Sequence, residues 1–93
     1  MAWTFLTNYG HAVVFLARNP QARVREIAAA VGVTDRAAQT ILNDLVAAGY
    51  ISRRREGRRN SYSLNTDRPL RHPLEEDHAI GDLLGALGAL PPR

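Results

Sequence analysis

Residues 24–64 read VREIAAAVGVTDRAAQTILNDLVAAGYISRRREGRRNSYSL, and the order of patterns within this stretch decides the fold. Val24, Ile27, Ala28 and Val31 recur at i, i+3, i+4 and i+7, which places them on one face of a short helix. Gly32 ends it, as the residue that most readily takes a left-handed turn at a helix C-terminus. Thr34 is a strong N-cap for a second helix over residues 35–48, with Ala38, Ile41, Leu42 and Leu45 on its buried stripe. Asp35 suits the positive end of that helix dipole. Gly49 stops it. The period then changes. Residues 50–55 and 60–64 read as two strands, and residues 56–59, holding Gly57, as the hairpin tip between them. Ile51, Tyr62 and Leu64 have the alternation of a sheet with one buried face. Two helices joined by Gly32-Val33-Thr34 and followed by an arginine-rich hairpin form the layout of a winged helix-turn-helix.

Outside this stretch, Thr7 or Asn8 caps a first helix that carries Ala12, Val13, Val14, Leu16 and Ala17 and stops before Pro20. Trp3, Phe5 and Leu6 precede the cap and are expected to cover the core from that side. Residues 21–23 form a short connection. Pro69 and Pro73 make residues 66–73 an extended crossover, and Ile80, Leu83, Leu84, Leu87 and Leu90 suggest a last helix over residues 75–90. The expected fold is mainly α with a small β-hairpin: a three-helix core, a two-stranded wing and a C-terminal helix. Residues 1–66 are expected to form the winged helix-turn-helix domain, and residues 67–93 a crossover and helix used for packing or dimerisation.

Ninety-three residues suit one domain with a modest core. The absence of cysteine excludes disulfides and thiolate metal sites. The opening residues lack the pattern of a signal peptide, and no run reaches the length of a membrane span, so a cytoplasmic protein is expected. The formal charge is +3, but it is uneven. Residues 51–71 hold seven arginines against Glu56 and Asp67, a net of +5, while residues 72–93 carry −3. All 12 basic residues are arginine, the side chain best shaped for bidentate contact with phosphate and guanine. A basic block of this kind points to a polyanion.

If Ala38, Ile41 and Leu45 face inward, Arg36, Ala37, Gln39, Thr40 and Asn43 line the outer face of their helix, with Thr34 at its start. Arg can bridge guanine O6 and N7, and Gln or Asn can pair with adenine N6 and N7, while Ala37 leaves room for close approach. A solvated face is the bland alternative. In the hairpin, Arg53 and Arg55 share the face of Ile51 and are candidates for structural pairing, with Asp44 for example. Arg54 points the other way, and Arg58 and Arg59 at the turn suit phosphate or minor-groove contact. Asn60 is expected to fix the turn, and Tyr62 to lie in the core.

The segment from Thr34 to Leu64 resembles the recognition helix and wing of MarR- and ArsR-like winged-helix regulators. The junction Leu45-x-x-x-Gly49-Tyr50-Ile51 and the wing Gly57-Arg58-Arg59-Asn60-x-Tyr62 carry the likeness. Trp3-Thr4-Phe5-Leu6-Thr7-Asn8 and Pro69-Leu70-Arg71-His72-Pro73-Leu74-Glu75 are similar to short actinobacterial MarR-like proteins that consist of little more than this domain. The resemblance implies sequence-specific double-stranded DNA binding by a transcription regulator, a repressor for preference. It also implies a homodimer, expected here through the first and last helices. The long dimerisation helices of larger MarR proteins are missing, so their dimer geometry does not carry over.

No enzyme is expected, because no Ser-His-Asp set, phosphate-cradling glycine loop or carboxylate pair is visible. No cofactor or metal is expected either. ArsR-type proteins include metal sensors, but His72, Glu75 and His78 are better explained as an exposed polar helix start. Two rivals to the leading reading stay open: a protein-interaction winged helix that uses its C-terminal apolar stripe, and a nonspecific architectural nucleic-acid binder.

Overall fold

The structure, a computed structural model, describes residues 3–90. Its elements are α1 (Asn8–Arg18), α2 (Val24–Val31), α3 (Asp35–Ala47), β1 (Ile51–Glu56), β2 (Arg59–Leu64) and α4 (Ile80–Ala86). The expected architecture, mainly α with one antiparallel hairpin, is the one observed. The hydroxyl of Thr34 accepts the amide of Ala37 at 3.1 Å, so the cap read from the sequence starts α3. α2 starts differently: the carboxylate of Glu26 accepts the amide of Arg23 at 2.7 Å.

The five largest fully buried side chains are Leu16, Ile27, Leu42, Ile51 and Leu84, one each from α1, α2, α3, β1 and α4. Each element therefore anchors in one shared core, and its removal from water is the main force holding the helices together. Tyr62 of β2 is buried in the same cluster, as expected. Its backbone amide also donates to the carbonyl of Pro20 at 2.9 Å, tying the wing to the start of the α1–α2 connection.

The wing is longer and its tip shorter than the sequence reading. Ile51 pairs with Leu64, Arg53 with Tyr62, Arg55 with Asn60, and Glu56 with Arg59, leaving Gly57 and Arg58 as a two-residue loop. Gly57 has φ +63, and no other residue type among the described residues has a positive φ. That sign pattern, with glycine first, belongs to the tight turns whose twist matches a hairpin.

Two expectations are corrected. Trp3 and Phe5 do not cover the core: they are 69% and 92% exposed, and pack on each other edge to face at 4.8 Å. Leu6 is half-buried. The last helix is also shorter than residues 75–90. Residues 72–78 form successive turns, and Leu70 donates to the carbonyl of His78 while Pro69 bridges Ala79, so the crossover folds back on itself. α4 begins only at Ile80, where the apolar stripe begins and the Asp82 carboxylate accepts the amide of Ala79 at 3.1 Å. The polar run Glu75-Glu76-Asp77-His78 has nothing to bury, and short helices in water rely on burial. Among the described residues no helix is long and apolar enough to cross a membrane.

Candidate nucleic-acid interface

α3 presents Arg36, Thr40 and Asn43 to solvent, with Gln39 and Ala37 half-buried beside them. This is the outward face expected from the inward positions Ala38, Ile41 and Leu45, all of which are buried. The polar groups on it are partly committed. Thr40 donates its hydroxyl to the Arg36 carbonyl at 3.2 Å, so its proton is used within the helix. Thr34 spends its oxygen on the cap. Asn43 accepts twice on Oδ1, from Gln39 Nε2 at 3.4 Å and from Arg53 Nη1 at 3.1 Å.

The last of these bonds joins the root of the wing to the outward face of α3. It also corrects the expected pairing of the strand arginines. Arg53 goes to Asn43, and Arg55 folds onto the carbonyl of Gly57 at 3.0 Å. Asp44 is taken by the phenol of Tyr9 instead. Helix geometry explains the change: Asn43 and Asp44 are adjacent on α3 and so point about a quarter-turn apart, and only one can meet β1.

Arg54 and Arg59 lie on the hairpin face away from Ile51, and Arg58 sits in the loop; all three are exposed. Among the described residues no arginine has a carboxylate partner within ion-pair distance. Arg53 and Arg55 apart, the wing arginines Arg54, Arg58 and Arg59 thus face solvent without an ion-pair partner among the described residues. A cleft of about 440 Å³ separates β2 from the start of α2, and Arg23 lines it together with Arg58, Arg59 and Asn60. In the sequence Arg23 stands only in a short connection, with no pattern that ties it to the wing. Its placement beside the wing depends on the Tyr62–Pro20 bond, a tertiary contact with no local signature.

The profile of the MarR family matches residues 7–59, which span α1, the helix pair and the first strand of the wing. This chain belongs to the MarR family. No curated protein matches it. The MarR family is one of DNA-binding winged-helix transcription regulators, so the match and the observed fold agree. In this MarR-family chain the histidines do not assemble into a metal site. His72 lies 3.7 Å from Glu75, His78 lies 3.3 Å from Asp82, and no group of three or more His, Cys, Asp or Glu converges among the described residues.

A second, apolar groove of about 560 Å³ runs between the N-terminal segment, α1, the end of α3 and α4. Phe5, Tyr9, Leu45, Leu70 and Leu83 line it. Arg18 at the end of α1 donates to the carbonyl of Leu87, the C-cap of α4, so the two helices are neighbours.

Proposed function

We propose that this chain is a transcription regulator that binds double-stranded DNA sequence-specifically and works in the cytoplasm as a repressor, not an enzyme. α3 enters the major groove, with Arg36 and Gln39 on base edges and Thr34, Ala37, Thr40 and Asn43 beside them. Arg54, Arg58 and Arg59 hold the flanking backbone or minor groove, with Arg23 on the near side of the same cleft. A domain bound in this way covers its site, and occlusion is the simplest route to repression. The observation that carries the reading is the Arg53–Asn43 bond, which makes the outward face of α3 and the base of the arginine hairpin one continuous surface. The test is selection of bound sites from random duplexes, followed by titration at several salt concentrations. Several phosphate contacts give a log–log slope of roughly −0.9 per contact. A protein that ignores duplex DNA at low salt is not this regulator.

Residues 67–93 are proposed to serve packing and dimerisation, with two copies meeting through α1 and α4 and reading half-sites about one helical turn apart. Support comes from Phe5 and Tyr9, which are exposed and line the apolar groove between those helices, and from the exposed Trp3 packed on Phe5. Large apolar side chains left exposed in a cluster commonly mark an interface. The same surface supports the rival reading, a protein-interaction module. Retained mass as a dimer with DNA selection, against a monomer that ignores DNA, separates the two.

A further inference from the structure

The geometry points to Arg53 as a positioning residue that sets base preference through Asn43 and Gln39, without itself touching phosphate. The inference rests on the DNA-binding reading above and gives Arg53, in the sequence a candidate for structural pairing alone, a part in base preference. An amide oxygen has two acceptor sites. On Asn43 both are occupied, one by Gln39 and one by Arg53. Because a guanidinium can only donate, Arg53 fixes which way the Asn43 amide is turned.

The consequences differ for the two amides. Asn43 retains only its Nδ2 donors, so it matches base acceptors such as guanine O6 and N7 or thymine O4, and is denied the paired donor and acceptor that reading adenine requires. Gln39 gives one N–H to Asn43 and keeps a second N–H and its Oε1. It therefore still presents a donor and an acceptor together, the set that matches adenine N7 and N6. Gln39 and Asn43 are four residues apart and so sit one above the other on α3. Arg53 reaches them from β1, where it stands opposite the buried Tyr62, so its anchor point is rigid. Without it, the Asn43 amide can rotate by half a turn, and the donor and acceptor order on this face is no longer unique.

Three variants test this: Arg53→Met, which keeps the stem and removes the donors; Arg54→Met on the opposite face of the same strand; and Asn43→Ala. Each is compared with the unaltered protein on a selected duplex and its single-base variants. For Arg53→Met, discrimination at the base pairs facing Gln39 and Asn43 should fall by about tenfold, with the salt slope unchanged. Arg54→Met should instead lower the slope by roughly 0.9 and leave base preferences intact. Adding Arg53→Met to Asn43→Ala should cost little further discrimination. In the free protein, Arg53→Met should shift the side-chain amide resonances of Asn43 and Gln39. A lowered salt slope with intact preferences makes Arg53 a phosphate contact and overturns the inference. Unshifted amide resonances overturn it as well, whatever the DNA result. If the unaltered protein selects no duplex, the DNA reading fails and takes this inference with it, even where the resonances shift.

Discussion

The phenol of Tyr9 donates to Asp44 Oδ2 at 2.5 Å, linking the first turn of α1 to the last turn of α3. The bond spans 35 residues of sequence and holds α3 against the element that flanks the apolar groove. It also raises the phenol above its ordinary value of 10.0, first because the hydrogen bond favours the protonated form, then through desolvation and the charge of Asp44. A group whose value rises on folding contributes stability below its unfolded value and loses it as pH climbs through the folded one. Tyr9→Phe should therefore be less stable than the parent at neutral pH, and the gap should close above pH 10.0. Thermal melts of both proteins from pH 8 to 11, roughly spanning the ordinary phenol range, read this directly. A gap that stays constant would show that the bond contributes nothing.

The crossover makes a second prediction. A Cβ at Gly81 would lie 2.8 Å from the carbonyl oxygen of Thr66, the same carbonyl that accepts the Gly81 amide, whereas one at Gly85 meets nothing within 4 Å. Gly81→Ala should cost about 1–3 kcal/mol through this clash. Gly85→Ala, one turn on in α4, should gain up to about 1 kcal/mol from helix propensity. Opposite signs for two alanines in one short helix can be read from melting temperatures alone.

α4 is tested by two leucines of unlike burial, Leu84 within it and Leu87 at its C-cap. Leu84 is fully buried and Leu87 is 43% exposed. Leu84→Ala should cost about 2–5 kcal/mol, a large share of the stability of a domain this size. Leu87→Ala should cost under about 0.5 kcal/mol in the isolated subunit. Equal effects would mean that α4 does not share the core.

Much of this fold is legible in the residues because its signals are local. The apolar spacing of Val24, Ile27 and Ala28, the Thr34 cap and the Gly57 turn each act within a few positions, and each is found where expected. The misreadings are tertiary or concern what a residue has to bury. Apolar residues from Ile80 onward mark α4 correctly, but nothing in Glu75 to His78 forbids a helix except the lack of a partner surface. Trp3 and Phe5 are apolar enough for a core, yet they stay exposed, Phe5 at the rim of the apolar groove. In the candidate interface, the exposed residues follow from helix and strand periodicity. The pairing of Arg53 with Asn43, and of Asp44 with Tyr9, depends on how β1 and α1 cross α3, which no local pattern encodes.

The apolar rim bears on assembly. Phe5 is 92% exposed beside the groove between α1 and α4. The protein should run as a dimer in solution, and Phe5→Glu should shift it towards monomer by placing a charge in the contact. Sedimentation at several concentrations checks both. A parent protein that stays monomeric throughout removes the dimer from the account.

The central claim is that the outward face of α3 reads base pairs. It is tested most directly by equilibrium binding of the parent and of Arg36→Ala to a selected duplex and to its single-base variants. The account predicts a loss of about 1–3 kcal/mol on the selected site and relaxed preference at one base pair, with the other positions still discriminated. Unchanged affinity and preference at every position would contradict it.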